Sequence, residues 1–329
     1  MRRFAQRRYV QRVIAAALVA TLAGCGGAEP SVQPEDAAET SVATGSAPAQ
    51  PDPEPAPPEP QAPESAPAKA RELPQGGTKI FPRYRVVAYY GTAGNAALGV
   101  LGEGAPDKVL PRLRSAAHGF AGDRKVQVAY ELIATVAQAK PGADGDYSRM
   151  IDEAQIQRYV DQARRNKVLV ILDLQPGRGN FLPQAVRLEK FLAQPHVGLA
   201  LDPEWRMPAG KVPGRTIGRV GPAEVNRVSA YVASLVAKHK LPEKLFVLHQ
   251  FRSSMLPGVH KIEKRPGLAM VQHVDGFGTR SEKDATWRRL RRPQQFHMGY
   301  KLFYDEDVKR YQAGDVLRFK PVPELVSFQ

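Results

Sequence analysis

Eight short apolar runs, separated by longer stretches of mixed polarity, follow one another from about residue 80 onward. The runs cover residues 85–91, 126–136, 167–175, 197–204, 244–251, 267–275, 295–303 and 324–329. Near-continuous apolar runs bounded by turn residues are typical of strands that are buried on both faces of a parallel sheet. Amphipathic helical patterns lie between several of the runs, at 151–166, 181–194 and 222–240. This alternation restricts the chain to the α/β class.

The number of runs favours a closed barrel. Eight strands in about 250 residues, with helices between them, match a (β/α)8 barrel, the TIM-barrel fold. The alternative is an open doubly wound sheet, but that fold has a Gly-rich turn and an immediate helix after its first strand, where residues 89–104 read as a long loop. No helical pattern follows the last run, so we expect the barrel to lack its final helix. The segment before Arg85 is the candidate to cover that seam.

The first 24 residues have the pattern of an export signal. Residues 1–12 contain five arginines and no acidic residue, an apolar stretch covers 13–23, and small residues precede Cys25. The ending LAGC resembles the lipobox of bacterial lipoproteins. The resemblance implies cleavage before Cys25, acylation of its thiol and attachment to the extracytoplasmic face of the cell membrane. Cys25 is the one cysteine of the chain, which excludes a disulfide-rich scaffold.

The segment that follows has the composition of a disordered tether. Residues 26–75 hold 12 of the chain's 29 prolines, with nine acidic residues and two basic ones. Such a segment has too few large apolar side chains to offset the entropy lost on ordering. We expect an extended, partly polyproline-II spacer that holds the folded part away from the membrane. The chain therefore divides into a signal peptide (1–24), a tether (25–75) and a barrel domain (76–329).

The folded part is strongly basic. The whole chain carries a net charge of +14, whereas residues 76–329 hold 40 Lys and Arg against 24 Asp and Glu, a net charge of +16. The densest basic run is WRRLRR at 287–292. On an exported protein this charge favours anionic wall polymers or lipid head groups as partners over nucleic acid, with a merely solvated basic face as the alternative. No apolar run reaches the ~18 residues of a membrane-spanning helix, so we expect the lipid bilayer to be bound through Cys25.

Polar residues recur at the ends of the apolar runs, where barrel enzymes place their active sites. A single His or Gln at a strand end is more often structural than catalytic, but recurrence on most strands indicates a shared pocket. Glu131 and Lys301 also fall within runs, without an assigned role. The candidate substrate-binding residues are Tyr90, Asp173, Gln175, Trp205, His249, His273, Asp275 and Tyr300.

The sharpest signal is the sequence VGLALDPEW at 197–205. Side chains alternate between the two faces of a strand, so we expect Asp202 and Glu204 to point the same way. Two neighbouring acids separate in pKa, which leaves one carboxyl protonated near neutral pH. A protonated carboxyl is what a general acid needs in order to protonate a glycosidic oxygen.

The D-x-E at the end of the fourth strand resembles the DGxDxDxE motif of glycoside hydrolase family 18, the chitinase-like barrels. The resemblance implies that Glu204 is the catalytic acid and that Asp202 supports the acetamido group of the substrate. Gly198 matches the glycine of the motif, whereas Val197 and Ala200 stand where the family has two further aspartates.

Two other resemblances cover different parts of the chain. The lysozyme-like barrels of family 25 also carry an acidic D-x-E on a strand. Uncharacterised secreted lipoproteins of actinobacteria are similar over the whole barrel, through ALGVLGE (97–103), LDPEW (201–205) and VLHQF (247–251). These lipoproteins carry no established activity.

Three functions compete at this stage. The first is a membrane-anchored hydrolase that acts on a cell-wall or extracellular glycan, with Glu204 as general acid. The second is a non-catalytic glycan- or ligand-binding barrel, which the two missing aspartates favour. The third is a metal-dependent hydrolase with ligands from the histidines and aspartates at the strand ends, but the first strand lacks the His-x-His of amidohydrolases. We therefore predict neither a metal nor a cofactor.

Overall fold

The structure is a computed structural model, and it describes residues 71–329. Eight parallel strands form a closed barrel, and a ninth, short strand pairs with the second in antiparallel orientation. In chain order the strands are β1 (Tyr84–Gly91), β2 (Lys125–Ala137), β3 (Ser148–Met150), β4 (Leu169–Leu174), β5 (Val197–Leu201), β6 (Lys244–Gln250), β7 (Leu268–Val274), β8 (His297–Leu302) and β9 (Leu325–Phe328). Because β1 pairs with both β2 and β9, the sheet closes on itself. The predicted barrel is confirmed, and the open-sheet alternative is wrong.

Seven α-helices lie in the described part of the chain, all in the connections between strands. They are α1 (Pro106–His118), α2 (Glu153–Asn166), α3 (Phe181–Arg187), α4 (Glu189–Leu192), α5 (Pro222–Lys238), α6 (Arg280–Leu290) and α7 (Ala313–Val316). The helices predicted at 151–166 and 222–240 are confirmed as α2 and α5, whereas the one predicted at 181–194 is divided at Leu188 into α3 and α4. Between β6 and β7, where every residue is described, the chain forms two short 3-10 turns and no α-helix.

The boundaries of α2 follow from its sequence. The carboxylate of Asp152 accepts a hydrogen bond from the backbone N–H of Ala154 at 3.0 Å and so caps the amino terminus. Ile156 and Val160 recur at helical spacing, and both are fully buried. The helix ends at Lys167, whose left-handed conformation (φ 57°) turns the chain into β4.

Alternation along the strands divides the apolar side chains between two cores. One set, including Leu172 and Phe246, packs outward against the helices. The other set, including Val86, Ile171 and Val247, fills the barrel interior. Branched aliphatic side chains occupy the interior, so the amino-terminal half of the barrel is a packed core and not a pore. The buried charged side chains that follow this core along the strands lie toward its carboxyl-terminal end, here called the mouth, whereas Gln127 is a buried amide near the start of β2.

The chain before β1 closes the opposite end of the barrel. Leu73, Ile80 and Phe81 are buried in the same cluster as the interior residues of the strands. The backbone N–H of Ile80 donates to the carboxylate of Glu243 at 2.8 Å, which fixes this segment beneath β6. Leu73 is therefore part of the packed core of the barrel.

The seam between β9 and β1 is covered on its outer side by the end of α1 and by α7. Phe120, just after α1, packs edge-on against Phe328 of β9, with 6.0 Å between the ring centres. Gly119 lies so close to α7 that a Cβ atom there would come within 2.9 Å of Ala313. The prediction that the segment before Arg85 covers this seam is wrong, because that segment closes the bottom of the barrel.

The predicted signal peptide, the acylated Cys25 and the tether as far as residue 70 lie outside the described residues. Among the helices of residues 71–329, none combines the length and the apolar character that crossing a bilayer requires.

Candidate functional site

Buried polar side chains from most of the barrel strands meet at the mouth. They come from the carboxyl-terminal halves of the strands and from the turns that follow directly. We call them the mouth cluster: Tyr90, Glu131, Asp173, Gln175, Asp202, Glu204, His249, His273, Asp275, Lys301 and Ser327. The cluster brings together every predicted site residue of the barrel except Trp205 and Tyr300.

His249, in β6, is the centre of the mouth cluster. Its Nδ1 lies 3.0 Å from Asp275 Oδ2, and its Nε2 lies 3.0 Å from Glu131 Oε1 and 3.8 Å from Asp173 Oδ1. Burial by itself lowers the pKa of an imidazole, but the charge of Glu131 and the hydrogen bond to Asp275 raise the pKa of His249 well above its usual value. His249 is therefore an imidazolium that donates a proton from each ring nitrogen.

The two partners of His249 are ionised. Burial works against the charge of Glu131, but the positive His249 outweighs it and lowers the pKa of this carboxyl to about 2. The same balance between burial and the hydrogen bond to His249 lowers the pKa of Asp275. Each charge is thus compensated at hydrogen-bond distance, as a buried ion requires.

Asp173 belongs to a second set of contacts in the cluster. Tyr90 donates its hydroxyl to Asp173 Oδ2 at 3.2 Å and accepts a hydrogen bond from Gln175 Nε2 at 3.2 Å. Gln175 is itself fixed, because its Oε1 accepts from the backbone N–H of Ala137 at 3.1 Å. Burial raises the pKa of Asp173 well above its usual value, which favours the protonated form of this carboxyl.

Asp202 and Glu204 lie in a turn and not on a strand. β5 ends at Leu201, and Asp202 caps a 3-10 turn (Pro203–Trp205) by accepting from the backbone N–H of Glu204 at 3.1 Å. Proline at the first position favours such a turn, because its missing N–H has no partner to lose there. The premise that strand alternation aligns the two acids is therefore wrong.

The two acids nevertheless influence each other. Burial raises the pKa of Glu204 well above its usual value, and the charge of Asp202 raises it further. Burial also raises the pKa of Asp202, to about 6. With a pKa of about 6, Asp202 is largely ionised at neutral pH, whereas the shift at Glu204 favours the protonated carboxyl.

Three carboxyl groups of the cluster retain a small contact with solvent. Asp202 is 4%, Glu204 7% and Asp275 8% exposed, whereas Glu131 and Asp173 are completely buried.

The contacts of His273 indicate a structural role for this side chain. Its Nε2 lies 2.7 Å from Ser327 Oγ, and its ring packs edge-on against that of His249. Burial lowers the pKa of His273 to about 3, so the ring is neutral. Gly299 makes room for it, because a Cβ atom there would collide with the imidazole.

Lys301 and Glu131 belong to the cluster, although the sequence analysis assigned them no role, and Tyr300 lies elsewhere. Lys301 Nζ lies over the ring of Tyr90, 3.3 Å from its centre. The side chain of Tyr300 points the other way, out of the barrel, and packs against Trp287 at 5.5 Å. Because side chains alternate along β8, only one of Tyr300 and Lys301 can face inward. A lysine within an apolar run was the available signal that Lys301 is the inward one.

Trp205 is placed close to the cluster but offers little surface. It ends the 3-10 turn that carries Glu204 and is 5% exposed. Its ring is therefore packed against protein and is not an open platform on which a sugar could stack.

The predicted donors do not fit a metal ion. Both ring nitrogens of His249 are used by carboxylates, and Nε2 of His273 is used by Ser327. Within residues 71–329, no group of three or more His, Cys, Asp or Glu side chains has the arrangement that a metal needs. The geometry therefore gives no support to the metal-dependent hydrolase.

No protein-family model matches the chain, and no curated protein matches it. The functional argument consequently rests on the mouth cluster itself.

Proposed function

We propose that the barrel is a glycoside hydrolase and that Glu204 is its general acid. The observation that carries this proposal is the pairing of Asp202 and Glu204 in a single buried turn, where burial and the charge of Asp202 raise the pKa of Glu204 well above its usual value. Cleavage of a glycosidic bond typically uses two carboxyl groups, one protonated and one ionised.

The reaction follows from these two states. Glu204 gives its proton to the glycosidic oxygen, so the C–O bond breaks and its electron pair leaves with the departing sugar. Ionised Asp202 stabilises the positive charge that develops on the other sugar. The resemblance to family 18 adds that Asp202 would hold an acetamido group whose oxygen bonds to the anomeric carbon. Water then adds to this carbon, and Glu204 takes back a proton.

A non-catalytic glycan-binding barrel is the second candidate. It is favoured by the absence of the two further family aspartates at Val197 and Ala200. It is also favoured by the complete burial of Glu131 and His249, whose charges are compensated inside the protein. A barrel of this kind would bind a sugar at the same mouth without cleaving its glycosidic bond.

The substitution Glu204→Gln separates the two candidates. Glutamine has nearly the same shape and no acidic proton, so we expect hydrolysis of an amino-sugar polysaccharide to fall by about 100-fold or more. Binding of the same polysaccharide should change little. Release of reducing ends measures cleavage, and co-sedimentation with the insoluble polymer measures binding.

Glu263→Gln is the matched control, because Glu263 is an exposed carboxylate before β7, at the far end of the barrel. This variant should cleave like the wild type. Equal cleavage by Glu204→Gln and wild type would remove the hydrolase proposal, and binding without cleavage by the wild type would establish the second candidate.

We further propose that the protein is a lipoprotein of the extracytoplasmic membrane face, held by acylated Cys25. The lipobox-like LAGC supports this location. A cell-wall or extracellular glycan would then be within reach of the mouth. The high positive charge of residues 76–329 would add attraction to anionic wall polymers or lipid head groups.

A further inference from the structure

Lys301 is a buried cation whose donors are unused by the protein. The residue is 3% exposed, and its Nζ lies over the ring of Tyr90, with the ring of Phe303 5.5 Å away. Within residues 71–329, no oxygen accepts a hydrogen bond from this Nζ and no carboxylate forms an ion pair with it. A ring face offsets part of the desolvation of an ammonium but fills none of its three hydrogen-bond directions.

Acceptors are left over in the same cluster. Glu131 Oε2, Asp173 Oδ1 and Asp275 Oδ1 are buried and accept no hydrogen bond from the described protein. A buried polar atom without a partner destabilises the folded state. The mouth therefore holds unused donors and unused acceptors that do not reach one another.

The charges of these groups restrict which ligand could form hydrogen bonds with both the unused donors and the unused acceptors. A ligand carboxylate would satisfy Lys301 but would face the negative charges of Glu131, Asp202 and Asp275. A ligand ammonium would satisfy the carboxylates but would face Lys301 and the imidazolium of His249. A hydroxyl group both donates and accepts, so a pair of neighbouring ring hydroxyls can accept from an ammonium and donate to a carboxylate without adding charge.

We propose that Lys301 is a substrate-binding residue that, together with the unpaired carboxylate oxygen of Asp275, selects an uncharged sugar ring at the mouth. Lys301 donates to a ring hydroxyl, and Asp275 Oδ1 accepts from that hydroxyl or its neighbour. This inference rests on the proposal that the mouth binds a glycan. It adds that Lys301 binds the sugar and that the sugar is uncharged.

The experiment compares two soluble tetrasaccharides by isothermal titration calorimetry. One is the neutral tetramer of N-acetylglucosamine, and the other is the anionic tetramer of galacturonic acid. We expect the wild type to bind the neutral tetramer at least 10-fold more tightly. Lys301→Met should weaken that binding by about 10- to 100-fold, the loss typical of a hydrogen bond to a charged group. Lys125→Met makes the same chemical change at an exposed position at the start of β2, at the opposite end of the barrel, and should leave binding unchanged.

Several outcomes would overturn the inference. Tighter binding of the anionic tetramer by the wild type would do so without any variant, even if Lys301→Met does not fold. Binding of neither tetramer, or equal binding by wild type and a folded Lys301→Met, would do so as well. Cleavage of the neutral tetramer is scored separately. Binding that depends on Lys301 without cleavage would leave this inference standing and remove only the hydrolase proposal.

Discussion

At the level of single residues, five carboxyl groups share the mouth and titrate in opposite directions. Glu131 and Asp275 contact the imidazolium of His249, and their pKa values fall. Asp173 and Glu204 have no such contact at hydrogen-bond distance, and burial raises their pKa values well above the usual range. Contact with one histidine thus decides which acids are charged and which can give up a proton.

The pKa of Asp202 predicts the acid side of the activity profile. Burial raises this pKa to about 6, so Asp202 is ionised above that pH and loses its charge below it. Because the proposed role of Asp202 requires the charge, kcat/KM for hydrolysis should fall as the pH drops through about 6. The pKa of Glu204 is also raised by burial, which favours the protonated form that a general acid needs.

The measurement is a pH profile of the wild type beside that of Asp202→Asn. The variant should be slower at pH 7 by about 10-fold or more and should lack the inflection near 6, because the asparagine amide does not titrate. An inflection near 6 that survives in Asp202→Asn would assign it to another group and remove Asp202 from this role.

The sequence predicted most residues of the mouth, because the ends of the barrel strands could be located in it. Asp173, His249 and Asp275 were expected there, and the structure joins them through hydrogen bonds and charge. The apolar pattern of β8 alone did not decide which of Tyr300 and Lys301 faces inward, and the lysine within that run was the remaining signal. A shift of one position along β8 exchanges Tyr300 for Lys301, and an apolar run does not fix that choice.

At the level of secondary-structure elements, one buried lysine connects helix α6 to the segments that follow β7 and β8. Lys283, in α6, lies 2.9 Å from Asp307 Oδ2 and donates to the backbone carbonyls of Gly276 and Lys301, each at 2.9 Å. Lys283 and Asp307 are 2% and 0% exposed. The pair therefore holds the loops after β7 and β8 in place, next to Asp275 and Lys301 of the cluster.

Breaking this pair should destabilise the barrel strongly. Lys283→Met leaves the charge of Asp307 buried without its partner, which typically lowers the free energy of unfolding by about 3–5 kcal/mol. The double variant Lys283→Met/Asp307→Asn should lose less than the sum of the single losses, because it leaves no orphaned charge. Urea unfolding followed by circular dichroism measures both.

An exposed pair provides the control. Lys190 and Glu153 are 2.8 Å apart and each is more than half exposed, so Lys190→Met should lower the stability by less than ~1 kcal/mol. A loss at Lys283 no larger than the loss at Lys190 would show that the loops after β7 and β8 are held by other contacts.

The elements themselves were largely predictable, because apolar periodicity carries most of the signal. Helices α2 and α5 were expected from their amphipathic spacing, and all eight barrel strands fall on predicted runs. The run at 197–204 was predicted too long, because Pro203 cannot continue the ladder and Asp202 stops it with a capping hydrogen bond. The closure of the seam was mispredicted, because it depends on Phe120 and α7, which are distant from β1 in sequence.

At the level of the whole molecule, basic residues are concentrated at the ends of helices that point away from the mouth. Arg164 and Arg165 lie in the last turn of α2, Lys238 in that of α5, and Arg288 and Arg289 in that of α6. Cations at these positions complement the helix dipoles. These five cations therefore stabilise the helices, whether or not they also attract an anionic partner.

The proposed lipid anchor and the positive charge of residues 76–329 make different predictions for attachment to the membrane. An acyl chain is held by apolar partition of about 0.8 kcal/mol per buried methylene, which salt does not weaken, whereas attraction between charges is screened at ~1 M salt. We expect the wild type, expressed in a bacterium that processes lipoproteins, to stay with the membrane fraction after a high-salt wash. Cys25→Ser should be released into the soluble extracytoplasmic fraction by that wash.

Fractionation at low and high salt distinguishes the two contributions. Cys25→Ser that is retained at low salt and released at high salt would assign the remaining attraction to the basic barrel. Cys25→Ser that stays with the membrane through the high-salt wash would contradict the anchor, because its attachment would then depend neither on the thiol nor on charge. Incorporation of radiolabelled palmitate into the wild type, and none into Cys25→Ser, would identify the modified residue directly.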